Sequence, residues 1–214
     1  MIAENLKNIL PNIPAKVTLV AVSKTKPNSA IMEAYHAGQR VFGENKVQDL
    51  AAKAETLPKE IQWHMIGHLQ SNKVKYIAPF VALIHGIDSL KLLKEVDKRA
   101  AQHNRVIDCL LQIHIAEEET KFGLNEAEAV QVLNAAEELK NVRVKGLMGM
   151  ATNTADESVV SKEFAGLKQL FIKLQTTNGQ LQIISMGMSG DYPLAIREGS
   201  TMVRVGSAIF GSRN

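Results

Sequence analysis

The chain has 214 residues and a nearly balanced charge, with 25 lysines and arginines against 22 aspartates and glutamates and a formal net charge of +3. Its hydrophobic fraction of 45% is that of an ordinary globular protein, and no apolar run approaches the roughly 20 residues that span a bilayer. The basic residues are scattered and are not interleaved with aromatic residues. We therefore predict neither a membrane-spanning nor a nucleic-acid-binding protein.

Cysteine usage and the N-terminal segment indicate the compartment. The single cysteine, Cys109, lies in the apolar segment VIDCLLQI, and the first ten residues, MIAENLKNIL, show no long apolar run followed by a small-residue cleavage site. A buried, reduced thiol and the absence of a visible signal peptide predict a cytoplasmic protein.

Two kinds of segment alternate along the chain: runs at helical spacing and apolar runs that predict buried strands. The predicted helices cover 2–10, 27–35, 44–57, 71–78, 89–104, 125–139, 156–176 and 194–198. The predicted strands cover 17–24, 40–45, 61–66, 80–88, 106–115, 142–150, 181–185 and 201–206. Eight such units of roughly 27 residues predict a single-domain (β/α)8 TIM barrel over residues 1–214. An open doubly wound sheet is the alternative, because periodicity does not report closure, but no G-x-G-x-x-G follows the first strand.

A lone lysine ends the first predicted strand. The run VTLVAVSK begins with six uncharged residues, which is typical of a strand buried on both faces of a parallel sheet. Lys24 then lies at the carboxyl end of the strand, where parallel α/β proteins bind ligands. An amine at the edge of a low-dielectric core loses part of its preference for the charged form, so Lys24 is a candidate nucleophile toward a carbonyl. The alternative is a solvated lysine that begins a loop.

Two glycine- and serine-rich segments follow the last two predicted strands, where TIM barrels commonly bind phosphate. The segment SMGMSGDYPLAIREGS offers Ser185, Gly187, Ser189 and Gly190, and VRVGSAIFG offers Gly206 and Ser207 before a short helical turn. Hydroxyls and exposed backbone amides at these positions predict an anion site. Ordinary turns are the alternative for either segment alone.

An arginine inside the last predicted strand sharpens this hypothesis. Arg204 stands two residues before Gly206, and alternation directs it into the mouth of the barrel beside the phosphate segment. A guanidinium in such a place requires an acceptor. An amine on strand one, a phosphate site and an arginine between them match pyridoxal 5′-phosphate (PLP), with Lys24 as the Schiff-base lysine and Arg204 facing the pyridine nitrogen. Met150, at the end of strand six, is a further candidate contact of the cofactor ring.

Seven motifs extend the match over nearly the whole chain. In order they are AVSKTKP, FGENKVQ, WHMIGHLQSNK, ETKFG, GLMGM, SMGMSGDYPLAI and VRVGSAIFG, and together they resemble the YggS/PROSC family of PLP-binding homeostasis proteins. The resemblance implies a single-domain barrel similar to the N-terminal domain of alanine racemase, a fold type III PLP protein. It places the PLP lysine on Lys24, the phosphate-binding positions on Ser189, Gly206 and Ser207, the ring-nitrogen arginine on Arg204, and residues near the cofactor at Asn45 and His64. The family pattern VRIGTAIFG is changed here at Val205 and Ser207, and both changes keep the required chemistry.

The resemblance also implies what the chain lacks. Alanine racemases use a second domain and a tyrosine from the partner subunit, whereas the tyrosines here are Tyr35, Tyr76 and Tyr192. An arginine at the ring nitrogen keeps that nitrogen unprotonated and makes the ring a weaker electron sink. We therefore expect a monomeric PLP carrier that serves PLP homeostasis, with PLP-dependent apo-enzymes as transient acceptors. The alternatives are a minimal amino-acid racemase or decarboxylase and a Schiff-base aldolase acting on a sugar phosphate.

A zinc site is the remaining hypothesis from the motifs. His64 and His68 in WHMIGH have the i, i+4 spacing of a helical metal site, but no HExxH pattern or third ligand accompanies them. A structural or pocket-lining role is favoured for both histidines, and no metal is predicted.

Overall fold

Eight parallel strands close into one barrel in the computed structural model, which describes residues 1–117 and 122–211. The strands are β1 (Thr18–Val22), β2 (Val41–Glu44), β3 (Gln62–Met65), β4 (Leu83–Ile87), β5 (Ile107–Gln112), β6 (Val142–Met148), β7 (Ile183–Met188) and β8 (Met202–Val205). Each strand pairs with the next, and β8 pairs with β1 through registers such as Val20 opposite Arg204. The predicted (β/α)8 barrel is confirmed, and the closing β1–β8 pairing eliminates the open sheet.

Helices follow the strands around the outside of the barrel. They are α1 (Ile2–Ile9), α2 (Asn28–His36), α3 (Val47–Thr56), α4 (Leu90–Gln102), α5 (Glu126–Ala136), α6 (Glu157–Thr177), α7 (Tyr192–Arg197) and α8 (Ser207–Phe210), with 3₁₀ helices at Leu10–Asn12 and Ser71–Tyr76. Within the described ranges, no helix has both the length and the apolar character needed to cross a bilayer. Of the motif ETKFG, residues 119–121 lie outside the described residues.

Two strands begin two or three residues later than predicted, because turns use the backbone groups of the residues expected to start them. Phe80 and Val81 donate their N–H groups to the carbonyl of Ile77, so β4 begins three residues later than expected. Strand β7 begins later than expected for a similar reason, since Leu181 closes a turn with Asn178, and it continues to Met188. Gly187 therefore belongs to the strand and not to a loop, and Ser185 lies inside the strand and not at its end.

The apolar side chains form two separate layers. A larger layer, which includes Phe42, Leu50 and Phe164, fills the space between the sheet and the helices. A smaller cluster of Val20, Leu83, Leu110, Met148 and Met202 fills the barrel lumen. Lys24 lies beyond the end of β1, in the turn that follows it, and lines a cavity at the mouth of the barrel.

A buried ion pair stands in the layer between the sheet and α3. Glu44 Oε1 accepts hydrogen bonds from Lys53 Nζ at 2.7 Å and from the Ser23 hydroxyl at 2.5 Å. Lys53 Nζ also donates to the Ser23 carbonyl at 3.0 Å, and Glu44 Oε2 accepts no hydrogen bond from the described residues. The pair ties the carboxyl ends of β1 and β2 to α3, directly beside Lys24. The sequence predicted Glu44 at the junction of the second strand and the following helix and did not reveal this contact.

We expect replacement of Lys53 by Met to lower the free energy of unfolding by about 3–5 kcal/mol, because Glu44 is then left as an uncompensated buried charge. The measurement is urea-induced unfolding at neutral pH. The matched control is Lys173→Met, since Lys173 pairs with Glu126 at the surface and its loss costs about 1 kcal/mol or less. Similar losses for the two variants would contradict the assignment.

Candidate functional site

The carboxyl ends of the strands surround a cavity of about 520 Å³, a volume typical of small-molecule sites. Its wall contains seven of the nine residues predicted for the site: Lys24, Asn45, Met150, Ser189, Arg204, Gly206 and Ser207. These residues come from both ends of the chain and from strands on opposite sides of the barrel. Barrel closure therefore brings the predicted amine, arginine and phosphate segments together in one place.

A tight turn delivers Lys24 to this cavity. The N–H of Lys26 donates to the carbonyl of Ser23 at 3.0 Å, which ends β1 and reverses the chain around Lys24 and Thr25. Thr25 occupies the left-handed region with φ of 66°, a strained conformation for a β-branched residue. Glycine is the usual residue in such a conformation, so a threonine at this position gave no sign of the turn in the sequence.

Ser189 joins the two glycine-rich segments. Its hydroxyl oxygen accepts hydrogen bonds from the backbone N–H of Gly206 at 3.0 Å and from that of Ala208 at 3.4 Å. A Cβ on Gly206 would lie 3.2 Å from the carbonyl oxygen of Val22, so a larger residue would crowd β1. The two amides converge beside the cavity, in the arrangement that binds anions.

Arg204 is buried in the lumen and reaches the cavity. Its Nη1 donates to the carbonyl of Ser185 at 2.9 Å and to the Ser185 hydroxyl at 2.5 Å, and its Nη2 donates to the carbonyl of Gly149 at 3.1 Å. Burial lowers the pKa of Arg204 to about 10, an effect that the nearby charge of Asp191 opposes. The guanidinium therefore stays charged at neutral pH, and its direct acceptors are neutral oxygens.

Two histidines continue this polar layer beneath the cavity. His85 Nδ1 lies 2.9 Å from the Ser185 hydroxyl, and His85 Nε2 lies 3.0 Å from His64 Nδ1. Burial lowers the pKa of His64 to about 3. Burial, together with the charges of His64 and Arg204, holds the pKa of His85 well below its ordinary value. Both imidazoles are therefore neutral in the folded protein.

The remaining two predicted site residues, His64 and Ser185, lie in this buried layer. Ser185 was expected to offer its hydroxyl to an anion from the end of the seventh strand, but it lies inside β7, is fully buried and bonds to Arg204 and His85. His64 lies in β3 and bonds to His85. His85 was not among the predicted site residues, although a histidine inside the apolar run FVALIHGID is the same kind of signal that singled out Arg204.

Three residues that were not predicted for the site lie at the far rim of the cavity. His68 Nδ1 lies 3.2 Å from a carboxylate oxygen of Asp88, and its ring stacks on Phe122 with centroids 4.6 Å apart. Gln112 donates to the carbonyl of Phe122 at 3.0 Å. His68, Gln112 and Phe122 all line the cavity. Within residues 1–117 and 122–211, no three His, Cys, Asp or Glu side chains are grouped as a metal site requires.

Comparison with known proteins defines the fold class first. The family model of the alanine racemase N-terminal domain matches residues 1–214. An alanine racemase of Clostridium difficile superimposes with a TM-score of 0.80 at 15% identity, covering 99% of this chain and 56% of the racemase. At that identity the likeness shows the shared barrel alone.

More similar proteins define the family. The pyridoxal phosphate homeostasis proteins of Vibrio alginolyticus and Escherichia coli K12 are each 40% identical to this chain, over 206 and 208 residues, covering 94% of it and 88% of each relative. The structure of PipY from Synechococcus elongatus with PLP bound has a TM-score of 0.91 at 37% identity, covering 99% of this chain and all of PipY. The chain therefore belongs to the family of pyridoxal phosphate homeostasis proteins, which confirms the resemblance found in the motifs.

Because His64 and His85 are buried, we expect the stability of the fold to decrease in acid. Their pKa values are lower in the folded protein than the ordinary value of 6.5, so below that pH the unfolded chain binds more protons. We expect the free energy of unfolding to fall by about 1.4 kcal/mol per pH unit for each histidine below about pH 6. Urea unfolding between pH 7 and about pH 5 measures this slope. His64→Gln should reduce it, whereas His36→Gln, at an exposed position, should not; an unchanged slope in His64→Gln would contradict the prediction.

Proposed function

We propose that this protein binds PLP in the barrel cavity, holds it on Lys24 and serves PLP homeostasis without substantial catalysis. The observation that carries the proposal is the convergence of Lys24, Arg204, Ser189 and Gly206 on one cavity. An amine, a cation and a group of anion-binding amides are the three kinds of partner that the aldehyde, the ring nitrogen and the phosphate of PLP require.

The residues present fit the cofactor. The backbone amides of Gly206 and Ala208 converge on the Ser189 hydroxyl at the edge of the cavity, and these amides together with the hydroxyls of Ser189 and Ser207 would hold a phosphate there. Lys24 follows β1, the strand that pairs with β8, and lines the same cavity; its amine would hold the aldehyde of PLP as a Schiff base, with loss of water. Arg204 lines this cavity as well and would orient the ring through its N–H donors. The relatives support this reading, since the curated proteins are named for PLP homeostasis and PipY was solved with PLP bound.

The same residues favour binding over turnover. Arginine can only donate hydrogen bonds, so the ligand atom that it faces must be an acceptor, and an unprotonated pyridine nitrogen draws electrons weakly. None of the described residues that line the cavity is a tyrosine. Tyr76 is half exposed and packs beside Lys73 and Lys75. The tyrosine that a racemase uses as its second acid/base thus has no counterpart among these residues.

Three further features of the hypothesis follow from this role. We propose a monomer in the cytoplasm that passes PLP to apo-enzymes in transient encounters. The buried free thiol of Cys109 supports a reducing compartment, and the exposed Phe122 and Met188 at the cavity rim support access by a partner. Analytical ultracentrifugation tests the monomer, and transfer to an apo-enzyme in the presence of a PLP-trapping amine tests direct delivery.

We expect the protein, purified from cells without added cofactor, to be yellow, with an absorbance band that borohydride bleaches. Lys24→Ala should lack this band because the covalent link to the aldehyde is lost. Lys16→Ala is the matched control, since Lys16 is exposed just before β1 and should leave the band unchanged. A wild-type protein that stays colourless after incubation with PLP would overturn the proposed function.

A second prediction separates carrier from racemase or decarboxylase. We expect the loaded protein to exchange the α-proton of amino acids, followed by NMR in deuterated water, no faster than the same concentration of free PLP. The physical reason is the poor electron sink described above. Exchange well above that of free PLP, abolished by Lys24→Ala, would favour the enzyme.

A further inference from the structure

The buried polar layer under the cavity is a chain of hydrogen bonds with a defined direction. Arginine has five N–H donors and no acceptor, so the contact of 2.5 Å between Arg204 Nη1 and Ser185 Oγ makes the hydroxyl oxygen an acceptor. The hydroxyl hydrogen is then free to point at the other neighbour of Ser185, which is His85 Nδ1 at 2.9 Å. Ser185 therefore accepts from the arginine and donates to the histidine.

The same direction continues through both histidines. A neutral imidazole has one N–H and one acceptor nitrogen, so a His85 that accepts at Nδ1 carries its hydrogen on Nε2. That hydrogen points at His64 Nδ1, 3.0 Å away, which must then be an acceptor. Arg204, which can only donate, thus determines the tautomer of both imidazoles. In each of them the hydrogen lies on Nε2.

The chain of hydrogen bonds and the neighbouring backbone carbonyls also immobilise Arg204. Both hydrogens of Nη1 are directed to Ser185, one to its carbonyl and one to its hydroxyl, and Nη2 donates to the carbonyl of Gly149 on the adjoining strand end. Anchored on two sides, the guanidinium presents its remaining N–H donors to the cavity that it lines. A ligand atom placed there must be an acceptor, because a ring N–H would meet another N–H.

We propose that Ser185, His85 and His64 are positioning residues that hold Arg204 as a fixed donor and thereby select a ligand with an unprotonated ring nitrogen. The inference rests on the proposed function for the identity of that ligand. His64, Ser185 and His85 lie below the cavity. In this role they act through Arg204 and do not contact the cofactor. A layer that merely fills the lumen would not distinguish ligands by their ring atom.

The first arm of the experiment uses ligand-free wild-type protein labelled with ¹⁵N in histidine. Long-range ¹H–¹⁵N correlation spectra at pH 7 should show His64 and His85 neutral with the hydrogen on Nε2. In Ser185→Ala the donor to His85 Nδ1 is gone, so the spectra should show loss of the single Nε2–H tautomer. A wild-type protein with either histidine charged, or with its hydrogen on Nδ1, would overturn the proposal.

The second arm compares two ligands, PLP and its analogue in which C–H replaces the ring nitrogen. Ser185→Ala should weaken binding of PLP by about tenfold, the effect expected when a hydrogen bond to a charged group is lost, and that of the analogue by less than about twofold. The matched control is Ser200→Ala, because Ser200 is also buried between β7 and β8 but bonds to the carbonyls of Ile184, Met186 and Met202 and not to Arg204. It should leave both affinities within about twofold of wild type.

The outcomes separate this inference from the proposed function. Equal weakening of both ligands in Ser185→Ala would overturn the selective role even if PLP binds well. Failure of the wild-type protein to bind PLP would instead overturn the proposed function and the ligand assigned here, whatever the tautomers. Circular dichroism of each variant confirms that the barrel is folded, and the wild-type tautomers decide the direction of the chain even if Ser185→Ala does not fold.

Discussion

A guanidinium enclosed in the lumen of the barrel is the interaction on which the rest of the site depends. Removing a charge from water is expensive unless it finds hydrogen-bond acceptors, and Arg204 finds them in the carbonyls of Ser185 and Gly149 and in the Ser185 hydroxyl. These acceptors are placed by β7 and by the end of β6. The strands therefore supply the hydrogen-bond acceptors that hold Arg204, and its remaining N–H donors are available to a ligand.

In the lumen of the barrel, this layer of polar side chains packs on a layer of apolar side chains. Val20, Leu110 and Met202 fill the lumen below the histidines, while the larger apolar layer outside the sheet holds the helices. The buried Glu44–Lys53 pair follows a different principle, since it joins strand ends to α3 on the outer face and supports the turn that carries Lys24. Stability and function share residues at the carboxyl ends of the strands, where the strained Thr25 also lies.

Predictions from the sequence succeeded wherever local chemistry is decisive. Apolar runs and helical periodicity were sufficient for the strand and helix order, and seven of the nine residues predicted for the site line one cavity. The failures came where two distant segments share a hydrogen bond. Glu44 was predicted where the second strand meets the next helix, but its partner Lys53 is visible only in the fold, and Ser185 was predicted at the end of a strand because nothing local shows that β7 continues to Met188.

The sequence by itself determined the class of the protein, since alternation, glycine placement and ordered motifs are local properties that survive without coordinates. It also singled out Lys24 and Arg204, because a charged residue next to or inside an apolar run signals a need for a partner. Only the tertiary structure decided which partners those are. Closure of β8 onto β1 brings the arginine beside the first strand, and the side chains of four strands meet in the lumen to connect Arg204, Ser185, His85 and His64. Hydrogen bonds between residues as far apart in sequence as His85 and Ser185 depend on distances of about 3 Å, and no periodicity in a sequence encodes such distances.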